Sequence, residues 1–121
     1  MTGLFYVMLG GAVGAGARHL VALALPASGG NAFPWPTLIV NLSGGLLMGM
    51  LAGRLSRLAA PDDWRLLLGV GVLGGFTTFS AFGLEAWTMV ARGSWATAAL
   101  YALASVVGAV ALTGVGLWIA R

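Results

Sequence analysis

The chain has 121 residues, of which 60% are hydrophobic and only 7% charged, and its mean hydropathy is +0.97. Charged residues make up roughly 25% of an ordinary soluble domain, so this composition excludes a soluble surface and puts the chain in a membrane. The net charge of +3 comes from scattered arginines without a basic cluster, which argues against nucleic acid, and the lack of cysteine excludes disulfides, thiolate metal sites and cysteine nucleophiles.

The first apolar run covers residues 4–25. It has no basic start of the kind a signal peptide carries, and Arg18 and His19 interrupt its end, so it reads as a membrane span. Arg18 either snorkels to the interface or acts as an electrostatic sink that draws anions into a vestibule. His19 has no companion ligand and reads as interfacial.

A connection follows, "PASGGNAFPWP" (26–36), and then the second run, 35–53. Thr37 and Asn41 are four apart and share a helical face. Asn41 is the only amide inside an expected span. The stretch "RLSRLAAPDDWR" (54–65) reads as the next loop and holds three of the six arginines.

The third run, 66–91, contains "GVLGGFTTFSAFGLEAW" (71–87). As one straight helix it would be ~39 Å long, against a hydrocarbon core of ~30 Å. Tilt is one way to absorb the excess; a break near the middle, at Gly74–Gly75, is the other. Backbone that leaves a helix at membrane depth must have its polar groups satisfied by protein, ion or water. Broken helices recur at ion sites, and the hydroxyls of Thr77, Thr78 and Ser80 suit such a place. Phe79 and Phe82 are three apart and share a face; their ring edges carry positive charge that a dehydrated anion can meet. Glu85 is the chain's only glutamate and its only acid inside an expected span.

"RGS" (92–94) reads as a tight turn into the fourth run, 95–120. Tyr101, Ser105 and Thr113 lie on one face there, with Ala109 between the last two. Together with the third-run hydroxyls and the Thr37–Asn41 pair, they suggest a polar track shared by three segments. Gly10 and Gly14, and Gly45, Gly49 and Gly53, have the i, i+4 spacing that lets helices approach closely. Four spans put both ends of residues 1–121 on one side of the membrane. Arg54, Arg57, Arg65 and Arg121 would share that side, a modest cytoplasmic bias that leaves dual insertion open.

"GGFTTFSAF" (74–82), preceded by T-x-x-x-N at Thr37 and Asn41, resembles the signature of the CrcB/Fluc fluoride channel family. "GAVGAGARH", "PTLIVNLSGGLLMG" and "YALASVVGA" agree with the family in order and spacing, so the resemblance covers nearly the whole chain. It implies an all-α membrane protein of four transmembrane helices with a broken third helix, paired as an antiparallel, dual-topology homodimer in the bacterial inner (plasma) membrane. Fluoride would leave the cell passively through two pores.

By matching position, Phe79 and Phe82 would be the pore phenylalanines, Asn41 would donate its amide to the ion path, and Tyr101 and Ser105 would line the track, with Thr37, Thr78 and Ser80 as its other polar members. Arg18 would stand at the vestibule and Glu85 near the track. Carbonyls of Gly74 and Thr77 would hold one structural Na+ at the dimer centre, not transported. His19 stands where the family often has tyrosine, Ala81 where it commonly has Ser or Thr, and Ala109 where some relatives carry a hydroxyl; the last two thin the track.

The rival expectation is a small dual-topology exporter coupled to protons through Glu85. Enzymatic chemistry is not expected, because no carboxylate pair and no nucleophile with a base is present.

Overall fold

The computed structural model describes residues 1–25 and 32–121. Its elements are α1 (Thr2–Ala24), α2 (Trp35–Leu58), α3 (Asp62–Trp64), a π-helical stretch (Arg65–Leu73), α4 (Gly74–Phe76), α5 (Phe79–Ala91) and α6 (Trp95–Ala120). Residues 62–91 form the third span, interrupted once between α4 and α5. All four spans are long and apolar enough to cross a membrane.

Helix ends follow local chemistry. Pro36 falls in the first turn of α2, where its missing N–H costs nothing. Most of the expected connection before α2, residues 26–31, lies outside the described residues. The expected loop at 54–65 is largely helical: α2 runs on to Leu58, and the helix of the third span starts at Asp62. Arginine and leucine are good helix formers and dominate 54–58, so the true break shrinks to 59–61. Ala59 there adopts a left-handed conformation (φ 45°), and Pro61 blocks continuation. The turn at 92–94 is as expected. Gly93 has φ +80°, its N–H bonds Val90, and the Ser94 N–H bonds Met89, which completes a Schellman closure of α5.

Packing pairs α2 with α6, and α1 with the π-helical stretch and α4; beyond the interruption α5 packs on α6 instead. The third span thus changes partner halfway. Small residues make these contacts close. A Cβ on Gly10 would run into the Leu67 carbonyl, one on Gly14 into the Val72 carbonyl, and one on Gly49 into the Thr113 carbonyl. A compact core is built around Tyr101, which is fully buried, with Leu38, Met89 and Ala98. Most other large apolar side chains, such as Phe5, Leu20, Leu84 and Val110, point outward, as lipid-facing helices require.

The break itself is displaced from its expected position. Gly74 and Gly75 are helical, and the chain leaves the helix at Thr77 and Thr78, both extended (ψ 158° and 121°). The reason lies in packing. Gly75 faces α1 so closely that a Cβ would sit 2.5 Å from the Gly11 carbonyl oxygen. The glycine is there for contact, whereas the β-branched threonines favour the extended backbone.

Candidate functional site

The interruption at Thr77–Thr78 frees main-chain groups inside a membrane span, and specific side chains take them up. Asn41 on α2 holds Thr78 from both sides: its Nδ2 donates to the Thr78 carbonyl at 2.9 Å, and its Oδ1 accepts the Thr78 N–H at 2.8 Å. The Thr78 hydroxyl accepts the Ala81 N–H at 3.2 Å and so caps α5. Arg18 on α1 donates from Nε to the Gly75 carbonyl at 3.3 Å. Leu73 closes the first limb by accepting from the Thr77 N–H and hydroxyl.

Among the described residues the break leaves three carbonyls without a donor, those of Gly74, Phe76 and Thr77. The usual donor to Gly74 is the Thr78 N–H, which goes to Asn41. The usual donor to Thr77 is the Ala81 N–H, which goes to the Thr78 hydroxyl. The Gly74 and Thr77 carbonyls are the two of these expected to face a cation. Among the described residues no group of three His, Cys, Asp or Glu could hold a metal, so a cation here would rest on main-chain oxygen. Hard monovalent cations suit such donors.

Glu85 lies about two turns beyond, on α5, and both of its oxygens are taken. Thr37 donates to Oε1 at 2.7 Å and the Tyr101 hydroxyl to Oε2 at 2.6 Å. Two hydroxyls from two other helices thus compensate a carboxylate that hydrocarbon alone would not tolerate. The Tyr101 ring is packed on its other sides by Phe33, edge-on at 5.3 Å between centroids, and by Phe82 at 5.1 Å. Phe82 in turn sits 5.5 Å from Phe79.

A cavity of about 370 Å³ opens beside the break, lined by Asn41, Thr78, Phe79, Phe82, Ser105 and Thr113 among others. Ser105 is buried, and its hydroxyl is the one buried side-chain polar atom without a partner among the described residues. An unpaired buried hydroxyl costs about 1–3 kcal/mol, so a guest that accepts a hydrogen bond would be stabilised here. Phe79 is 79% exposed at the cavity edge, while Phe82 is half-buried. Ala109, between Ser105 and Thr113, contributes no polar group, and the Thr113 hydroxyl is engaged with the Gly45 and Ala109 carbonyls. A second cavity of about 320 Å³ lies across the break, between Arg18, His19, Thr37, Thr78 and Ala81.

Twelve residues were expected from sequence, and the structure gathers most of them around one point. Asn41, Thr78, Phe79, Phe82 and Ser105 share the first cavity with Thr77. Thr37, Glu85 and Tyr101 form a hydroxyl–carboxylate cluster behind it. Arg18 reaches the break from the other side. Ser80 lines neither cavity and only approaches the Thr78 hydroxyl, at 3.4 Å. The sequence reading missed Phe33 as a wall of the Tyr101 site; its one signal was an aromatic among the prolines of the connection. It also missed that His19 shares a cavity with Arg18.

Comparison with known proteins gives concordant results. The family model described as CrcB-like protein, Camphor Resistance (CrcB), matches residues 5–117. A protein of Sphingopyxis alaskensis named fluoride-specific ion channel FluC is 53% identical over 100% of this chain and 97% of its own length. Proteins of the same name from Novosphingobium aromaticivorans and Caulobacter sp. (strain K31) are 52% and 50% identical, each over 100% of this chain and over 98% and 96% of their own lengths.

Proposed function

The chain belongs to the CrcB-like family, and from that membership we propose that it is a fluoride-specific channel that lets the ion leave the cell down its electrochemical gradient. The observation that carries this reading is the cavity at the Thr77–Thr78 break, walled by phenylalanine rings and an unpartnered buried hydroxyl. Fluoride is small and strongly hydrated, so a pore must replace its water with donors. The Ser105 hydroxyl and the positive ring edges of Phe79 and Phe82 do so without a fixed cation that would trap the ion. The second hydrogen of the Asn41 amide is free to serve the same path. Conduction needs exit as well as entry, and Arg18 sits at the side of the break, where it draws anions in without lining the cavity of the phenylalanines.

One chain encloses little volume, and Phe79 lies open at its surface. The pore is completed by a second copy in antiparallel orientation, with two paths per dimer, inserted in the bacterial inner membrane in both topologies. The carbonyls of Gly74 and Thr77 from the two copies would together hold one sodium ion, which supplies fixed positive charge to bind the two breaks and takes no part in transport. Proton coupling through Glu85 is the weaker reading, because both of its oxygens are occupied by hydroxyls.

The reading is tested by efflux from proteoliposomes followed with a fluoride electrode. Fast fluoride loss with negligible chloride loss is expected. Flux no greater than that of empty vesicles would overturn it.

A further inference from the structure

The second cavity contains a titratable group that the fluoride path leaves unused. His19 follows Arg18 on α1, and both line the pocket of about 320 Å³ that reaches Thr37 and Thr78. His19 is exposed and makes no hydrogen bond or ion pair among the described residues. Its neighbour differs: the Arg18 guanidinium is tied to the Gly75 carbonyl through Nε. One cation is therefore fixed at the break, and the next side chain stands free in the same pocket.

The charged groups around His19 are few. On its own helix Arg18 is the one other charged residue lining the pocket, beside Ala15 and Ala22; α2 contributes Pro36, Thr37 and Val40, and the third span contributes Thr78 and Ala81. Glu85 is reached only through the Thr37 hydroxyl, which it accepts. No carboxylate lines this pocket to neutralise a positive imidazole. Imidazole is the side chain whose charge can change within the physiological pH range, whereas guanidinium stays charged throughout.

We propose that His19 is a second, proton-dependent cation at the anion entrance beside Arg18, so that acidification raises the rate at which fluoride enters the path. The inference rests on the channel reading above. The sign follows from the chemistry: protonation adds positive charge as pH falls, and positive charge at the mouth raises the local anion concentration. A single charge added at this range, partly screened, changes entry on the order of threefold to fivefold. The effect belongs to entry and fades at high ionic strength, where the screening length shrinks to a few ångström.

The test compares wild type, His19→Gln and His19→Lys in proteoliposomes, with fluoride low enough for entry to limit flux. Efflux is read at pH 8 and pH 5.5, and leak from protein-free vesicles at the same pH is subtracted. The ratio of wild-type to His19→Gln flux is expected to rise about threefold to fivefold from pH 8 to pH 5.5 at low salt, and His19→Lys to exceed His19→Gln at both pH values. A ratio independent of pH, or His19→Lys flux equal to that of His19→Gln, overturns the proposal while leaving the channel intact. No fluoride flux from wild type at either pH overturns the channel reading and this inference with it.

Discussion

Asn41 grips Thr78 by both main-chain groups, donating to its carbonyl at 2.9 Å and accepting its N–H at 2.8 Å. The two residues are 37 positions apart in the chain, so this pair ties α2 to the break of the third span. Asn41→Ala would strand a donor and an acceptor at membrane depth, at a cost of about 1–3 kcal/mol each. The expected result is a clear fall in Tm in detergent and loss of fluoride flux. Asn41→Asp keeps the acceptor but loses the donor, and should fall between the two. An Asn41→Ala protein that melts with wild type would show that the pair does not hold the break.

The two phenylalanines differ in what surrounds them. Phe79 is largely exposed, while Phe82 packs against Tyr101 at 5.1 Å. Both Phe79→Ile and Phe82→Ile remove a ring edge and should collapse fluoride efflux while chloride efflux stays negligible. Stability separates them: Phe82→Ile loses two aromatic pairs, with Tyr101 and with Phe79, each worth about 0.5–1.5 kcal/mol, whereas Phe79→Ile loses only the second and should lower Tm less. Fluoride efflux from both variants at the wild-type rate would remove the rings from the path.

The proposed sodium site makes a prediction about two of the carbonyls left at the break. The Gly74 and Thr77 oxygens lose their usual donors to Asn41 and Thr78, and the proposed ion compensates both. Replacing sodium by a bulky organic cation during purification should lower Tm and slow fluoride efflux, with recovery when sodium returns. Equal Tm and equal flux in the two media would mean that these carbonyls find another partner.

Much of this geometry was legible in the sequence because membrane chemistry penalises polar residues without a purpose. Thr37, Asn41, Glu85, Tyr101 and Ser105 stand out against apolar surroundings, and all five meet near the break. Helical periodicity correctly grouped Thr37 with Asn41 and Tyr101 with Ser105. It could not say that Thr37 and Tyr101 converge on Glu85, because that depends on three helices packing together. The break was misplaced for a related reason. A glycine pair signals either flexibility or close approach, and only the contact of Gly75 with Gly11 decides for the second. Nothing local to Arg54–Leu58 signals that the helix continues beyond the apolar run, since arginine suits a helix and an interface equally.

Helix approach gives a contrast between two glycines, Gly49 and Gly16, each inside a spanning helix. A Cβ on Gly49 would collide with the Thr113 carbonyl and lie 2.9 Å from the Leu117 nitrogen, all main chain that cannot swing aside. A Cβ on Gly16 meets nothing within 4 Å. Gly49→Ala should therefore force α2 and α6 apart and lower Tm strongly, at a cost of about 1–3 kcal/mol or more. Gly16→Ala should be neutral or stabilising by up to about 1 kcal/mol, through helix propensity alone. Matching melting curves for the two variants would contradict the tight α2–α6 seam.

The Thr37–Glu85–Tyr101 cluster predicts non-additive behaviour. Tyr101→Phe keeps the packed ring but leaves Oε2 of Glu85 without its donor, which should cost about 1–3 kcal/mol. Glu85→Gln alone puts an amide against two hydroxyls that can reorient, so its cost should be smaller. Once Glu85→Gln is in place, adding Tyr101→Phe should cost less than it does in wild type, because no carboxylate remains to be stranded. Melting of the two single variants and the double variant measures this coupling. The same Glu85→Gln protein separates channel from exporter. A passive channel retains fluoride flux that an imposed proton gradient does not drive, whereas proton coupling through Glu85 requires that gradient-driven transport be present in wild type and vanish in the variant.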